Sequence, residues 1–411
     1  MKRHLITIAL LIFAINSFAQ NVGCTDANAI NYDANVQEND GSCIYEPMVL
    51  DPTIIIEELP SIIEETSGLI YFNNSLWTHN DSGGEAAIYK LDENTGDVIQ
   101  TIKITEGVNI DIEDISQDED YIYVGDFGNN HGNRDDLIIY KIQKSDIPSS
   151  EDAFVNAEII NFSYNDQESF ERKNRNNDYD CESMLSFGDH LYLFTKNWVS
   201  QETKCYKVSK NPGTYGVDIY GEFNVRGLLT AADYHVGKNA VILIGYENFI
   251  PFMWVIWNFS EDHFFSGHKK RVDFAHIQGA QTEGACFKDA QTINISCEDS
   301  FFPPRLYEIE IDQIISATSV SQEKYQAFHI TLFPNPAENI VRVNIEGLKK
   351  AKFDLEIYNL RWQKVNQYSF DEHSFDSAVN IQIPTENLGN GIFFIRVKEG
   401  KNIGFQKLII K

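Results

Sequence analysis

The chain has 411 residues, 43% of them hydrophobic, so it can bury more than one core; its 61 acidic against 33 basic residues leave a net charge of -28. That charge excludes nucleic-acid backbones and anionic membrane surfaces as natural partners. It suits cations, Ca²⁺ above all, or plain solubility in an external medium.

Residues 1–19 read as a signal peptide: Lys2 and Arg3, the apolar run Leu5–Ile15, then Ser17-Phe18-Ala19 as a small-x-small cleavage site. That run is too short to span a bilayer and no later run is long enough, so no transmembrane segment is expected. An exported chain meets an oxidising compartment, where its six cysteines can pair as three disulfides.

Residues 21–46 contain GCTDANAINYDANVQENDGSCIY, with a cysteine at each end and Asp26, Asp33, Glu38 and Asp40 between. The stretch resembles the GCTD…NYD…DDGSC repeat of exported Bacteroidetes proteins, itself similar to thrombospondin type-3 calcium repeats. The resemblance implies a Cys24–Cys43 bridge and a second candidate Ca²⁺ site at Asp26, Asp33 and Asp40. Asn39 stands where the repeat has aspartate, which removes one charge.

Across residues 47–318 a short pattern returns five times: an acidic opener, a strand, a polar loop, and a strand with an aromatic marker. Its openers are Glu65, Glu113, Glu182, Asp233 and Glu283, at steps of 48, 69, 51 and 50 residues. A period near 50 is that of four-stranded propeller blades, and Asp166–Asp180 reads as an insertion that lengthens one step. The fifth unit lacks a fourth strand, whereas Thr53–Leu59 ahead of the first opener has no other place; joined, they close the ring. The expected fold is all-β, a five-bladed propeller followed by a small Ig-like sandwich, with six blades as the runner-up.

Openers in register would face one central channel, where like charges need a cation or donors between them. Glu65, Glu113, Glu182, Asp233 and Glu283 are therefore candidate metal ligands; alternatively, each carboxylate accepts backbone N–H groups of the next blade. The second-strand ends should share one rim, making His79, Asp81, Asp126, Arg134, Lys196, Trp198, Glu247 and Glu298 candidate ligand contacts. Turn chemistry accounts for much of the Gly, Asn and Asp around them. Cys286 and Cys297 flank a strand turn and could bridge adjacent strands, the alternative being a buried reduced pair; with Cys181 and Cys205 they allow three pairings.

After a linker at 319–330, residues 331–411 run through FPNPA, IYN, LGNGIFFIRV and KLIIK as short strands parted by Pro, Asn and Gly. This order resembles the type A sorting domain of the type IX secretion system. It implies passage through the periplasm, recognition by the outer-membrane translocon, and an extracellular or cell-surface destination. The propeller is similar to uncharacterised Bacteroidetes surface propellers with WTHNDSGG and GDFGNN segments, which implies fold alone. No linear catalytic motif is present, so the expected function is a Ca²⁺-stabilised module binding a glycan or small molecule. ETSGL and TEGA resemble openers of phytase-like esterase propellers, so the alternative is a metal-dependent hydrolase, phosphoesterase- or lactonase-like, using channel carboxylates.

Overall fold

In a computed structural model of the chain, the described residues are 22–315, 329–348, 352–359, 364–370, 378–386, 388–399 and 402–411. The expected signal peptide and most of the expected linker lie outside them.

Residues 53–310 form five antiparallel sheets. From the axis outward the first contains Thr66–Phe72, Ser75–Asn80, Ala87–Leu91 and Val98–Ile104. The second contains Ile112–Gln117, Tyr121–Asp126, Leu137–Gln143 and Ala157–Tyr164. Cys181–Phe187, His190–Thr195, Thr203–Ser209 and Ile219–Phe223 build the third; Leu228–His235, Ala240–Glu247, Ile250–Trp257 and His268–Asp273 build the fourth. Thr282–Phe287, Thr292–Cys297 and Arg305–Glu310 complete the ring, with Thr53–Ile56 from the other end of the sequence as their outermost strand. The inner strands neighbour one another in this order, and the fifth touches the first. Residues 151–180 hold no sixth sheet: Ala153–Val155 and Ala157–Tyr164 join the first and second sheets.

Face-to-face sheets explain the apolar runs. Ile88 and Ile102 of the first sheet share a core with Ile115, Val124 and Tyr140 of the second, and Leu137 and Ile160 meet Met184 and Leu193 of the third. Truncating such an Ile or Leu to Ala costs about 2–5 kcal/mol. At Gly284 the inner strands approach too closely for a side chain. A Cβ on Gly284 would lie 2.5 Å from Ser296 Oγ and 2.9 Å from the Gly68 carbonyl carbon of the neighbouring sheet.

Polar groups lock the inner strands together. Ser67 donates to the Glu113 carbonyl at 2.7 Å and Thr230 to that of Thr282 at 2.6 Å. Asp114 accepts the Met184 N–H of the third sheet at 2.6 Å and lies within reach of Ala232 N–H of the fourth. A Cβ on Gly68 of the first sheet would come within 2.9 Å of the same carboxylate. One buried aspartate thus ties the second sheet to the third and fourth and lies against the first.

Asp233 follows the alternative reading of the openers. Its carboxylate accepts Phe287 N–H of the next inner strand at 2.8 Å and takes no place in a metal cluster.

The outer edges are covered by parallel strands from other parts of the chain: Ala153–Val155 on the first sheet, Gly213–Val217 on the second and Met48–Val49 on the fourth. The N-terminal module reaches the fourth sheet through Tyr45, stacked on Trp257 at 5.6 Å. Cys24 and Cys43 form a disulfide. Asp26, Asp33 and Asp40 are not gathered as a second cation site. Each turns a carboxylate oxygen to the backbone N–H two residues on, at 2.9 Å, and Asp26 also accepts from Tyr45.

Cys286 and Cys297 do not bridge. The hairpin register sets Cys286 opposite Asn294 and Cys297 opposite Thr282, so they lie at opposite ends. With Cys181 and Cys205 they are free and buried.

In the C-terminal region His329–Phe333, Ile340–Glu346 and Ala378–Pro384 form one sheet. Lys364–Phe370, Phe353–Asn359, Gly391–Glu399 and Asn402–Ile410 form another. Val341, Val343, Leu355, Ile357, Ile395 and Leu408 belong to their shared core.

Two predictions follow from this packing. A thiol reagent will titrate the four free cysteines in denaturant and none of them in the native protein. Burial pushes the Asp233 carboxyl up to about 7 from 3.8. The folded state then holds a proton that the unfolded state releases, so its stabilisation is full below about pH 4 and lost as pH rises through 7. Asp233→Asn will shrink the drop in urea midpoint between pH 5 and pH 8.

Candidate functional site

All five inner strands carry a β-bulge near their first residues, where an extra residue slips the register. A bulge leaves its extra residue unpaired and re-aims the side chain. In the second, third and fifth sheets the extra residues are Glu113, Glu182 and Glu283, only 4%, 2% and 6% exposed. The first and fourth sheets have Gly68 and Thr230 at this place. Glu65 is therefore no ring member: it lies three residues ahead of the bulge and is exposed. Asp233 lies three residues past its own bulge, which accounts for its different partner.

Second-strand ends and inner-strand starts bring further carboxylates to the same mouth: Asp81, Asp111, Asp180 and Glu298. With the three glutamates this makes seven interacting acids around the buried ammonium of Lys196. Lys196 pairs with Glu182 at 3.0 Å and sits over the rings of Trp198 and Tyr246. Asp180 is satisfied by Trp198 Nε1 at 2.7 Å and by Asn129 N–H. Glu298 accepts from Gln281.

On the side of the mouth formed by the first two sheets compensation is incomplete: Lys196 and the Ser82 N–H act on Asp81, and Arg134 and the Asn130 side chain on Asp111, yet both carboxyls stay raised. Asp81, Asp111 and Glu113 each offer a carboxylate oxygen, and the three oxygens lie within 4.8 Å of one another. Asp81 Oδ1 and Glu113 Oε1 are buried without a hydrogen-bond partner among the described residues. Burial, then Asp111 and Glu283, pushes Asp81 up to about 7; burial, then Asp180, pushes Asp111 up to about 6. Glu113 is driven well above the usual carboxylate range by burial and by Asp81. Three oxygen donors with raised proton affinity can accept a cation in place of protons.

The remaining expected contacts serve the scaffold. Asp126 is fully buried, accepts Ile110 N–H at 3.0 Å and pairs with Arg134 at 2.8 Å; Arg134 also donates to the Gly128 carbonyl. The Arg134 guanidinium thus braces the loop over Asp111. Glu247 is bound to Arg271 at 2.7 Å. His79 lies inside the first sheet, not on the rim: burial pushes its pKa down to about 4, and Nδ1 faces the Asn80 carbonyl at 3.1 Å. Of the expected set, Asp81, Lys196, Trp198 and Glu298 reach the mouth.

Sequence reasoning missed Asp111 and Asp180, although a signal was present. Asp111-Ile112-Glu113 and Asp180-Cys181-Glu182 repeat an Asp-x-Glu step at the bulge of successive sheets. A second acidic group, Glu261, Asp262 and His263, lies elsewhere. Its Asp262 is already committed to Lys207, Tyr192 and Tyr220.

Gly128 fits where no side chain can. A Cβ there would stand 2.4 Å from Glu113 Oε1 and 2.5 Å from Asp111 Oδ2, whereas one on Gly84 meets nothing within 4 Å. Gly128→Ala will therefore weaken any cation uptake at this site at least tenfold in a calcium titration, and Gly84→Ala will leave it unchanged.

Among the described residues no helix is long and apolar enough to cross a membrane. No curated protein matches the chain. Among solved structures it is similar to the hydrazine synthase of Kuenenia stuttgartiensis, at 11% identity and a TM-score of 0.34, covering 62% of this chain and 68% of that one. It is also similar to the Dos1 propeller, at 10% identity and a TM-score of 0.31, covering 84% of this chain and 77% of the other. Residues 331–411 match the family described as a secretion system C-terminal sorting domain. That domain marks the chain as cargo handled by the type IX secretion machinery and exported to the cell surface or beyond.

Proposed function

We propose that the chain is an exported β-propeller binding module whose acidic mouth takes up Ca²⁺ or another hard divalent cation. The observation that supports this most is the pair of buried, unpartnered oxygens, Asp81 Oδ1 and Glu113 Oε1, beside Asp111. A buried polar group left unsatisfied costs about 1–3 kcal/mol, and more when charged. One cation satisfies all three carboxylates at once. An oxygen-only donor set suits Ca²⁺, which takes about 6–8 oxygens and leaves places for water or a ligand. Lys196 already neutralises Glu182 on the other side, so the cation belongs with Asp81, Asp111 and Glu113.

In this reading a leader peptide takes the chain into the periplasm, the outer-membrane translocon recognises residues 331–411, and the propeller binds a glycan or small molecule outside. The protein is dialysed against chelator and titrated with calcium by calorimetry. The expected result is saturable binding, weakened at least tenfold in Glu113→Gln and unchanged in Glu65→Gln. Absence of binding, or equal loss in both variants, overturns the proposal. Turnover of a phosphoester or lactone by the calcium-loaded protein, lost in Glu113→Gln, would replace the binding reading with the hydrolase.

A further inference from the structure

Beside the three carboxylates lies a cavity of about 560 Å³, lined by Ser82, Asp111, Asn130, His131, Asn174 and Arg175 among others. Its lining carries one carboxylate, Asp111, and two guanidinium groups, Arg134 and Arg175. Asp111 stands on the cation side. The Arg175 guanidinium lies over the Trp198 ring at 5.0 Å and has no carboxylate within salt-bridge distance among the described residues. Its positive charge still acts on Glu283 and Tyr246, which places it over the mouth.

His131 adds a second donor. Its Nε2 lies 2.7 Å from Arg172 Nη2. A guanidinium only donates, so Nε2 accepts and Nδ1 carries the hydrogen. Nδ1 is buried and has no hydrogen-bond partner among the described residues.

The unpartnered oxygens of Asp81 and Glu113 call for a cation; the exposed Arg175 guanidinium, free of any ion pair among the described residues, and the unpartnered His131 Nδ1 call for an anion. We infer that the cavity binds a small ligand through a carboxylate or phosphate group, one oxygen of which completes the cation held by Asp81, Asp111 and Glu113 while the others meet Arg175 and His131. This rests on the cation reading above and names the ligand class for it. Arg175 suits the task because its planar fork pairs two oxygens at once. Asn174 and Ser82 on the cavity wall match hydroxyl groups on the body of such a ligand. Without the cation the surrounding carboxylates repel any anion, so binding of the two is ordered, cation first.

The test titrates glucuronate, glucose 6-phosphate and glucose into the purified chain, in calcium and again in EGTA. At least one of the two anions is expected to bind in calcium and to lose tenfold or more both in EGTA and in Arg175→Gln. Which of them binds distinguishes carboxylate from phosphate. Calcium is titrated into the same variant, so that loss of the anion is told apart from loss of the ion or of the fold. Glucose binding as well as the anions, anion binding that survives EGTA or Arg175→Gln, or no anion binding to a calcium-loaded protein overturns the inference. In the last case the cation site still stands. Failure of the wild-type chain to bind calcium removes both.

Discussion

Everything at the mouth of this ring depends on the cost of keeping like charges together away from water. Seven carboxylates crowd round the axis, and the fold supplies one buried ammonium, Lys196, to balance them. Trp198, Asn129 and Gln281 absorb part of the remainder by donating to Asp180 and Glu298. Asp81, Asp111 and Glu113 keep raised proton affinities although Lys196 acts on the first and Arg134 and Asn130 on the second. The two buried carboxylate oxygens of the mouth that lack a hydrogen bond among the described residues, Asp81 Oδ1 and Glu113 Oε1, both belong to this side.

The same backbone device produces both the site and the scaffold. At each bulge the extra residue is turned out of the ladder; where it is glutamate it faces the mouth, and where it is Thr230 its hydroxyl ties two sheets together instead. One residue further along, Asp114 ties its sheet to the third and fourth through the backbone N–H groups of Met184 and Ala232. The glutamates thus stand beside a buried aspartate that is engaged on two further sheets, and burial is the first cause of their raised proton affinities.

Much of the architecture was legible in the sequence because period and patterning survive divergence. The acidic steps near fifty residues, the aromatic third strands and the unclaimed strand before the first repeat led to the sheets and to their closure. The register of the openers was legible in only three of five. Glu65 and Asp233 are acids at nearly the right spacing, but the bulge that decides which side chain faces inward is invisible in composition. Gly68 and Thr230 hold those places without charge. The cysteine pairing at 286 and 297 failed for a related reason: proximity to a turn does not fix cross-strand register, and Asn294 and Thr282 are their partners. Contacts that depend on a loop folding back, such as Arg175 over Trp198, had no local signal.

The outermost strand of the fifth sheet, Thr53–Ile56, pairs antiparallel with residues 306–308. The two halves of that seam are synthesised at opposite ends of the repeat array, so a nascent or partly translocated chain has nothing to latch onto until its last hairpin arrives. Circularity of this kind makes the assembly all-or-none: a truncation that spares four sheets still leaves both an orphan ribbon and a gap, and resistance to proteolysis should vanish together rather than sheet by sheet.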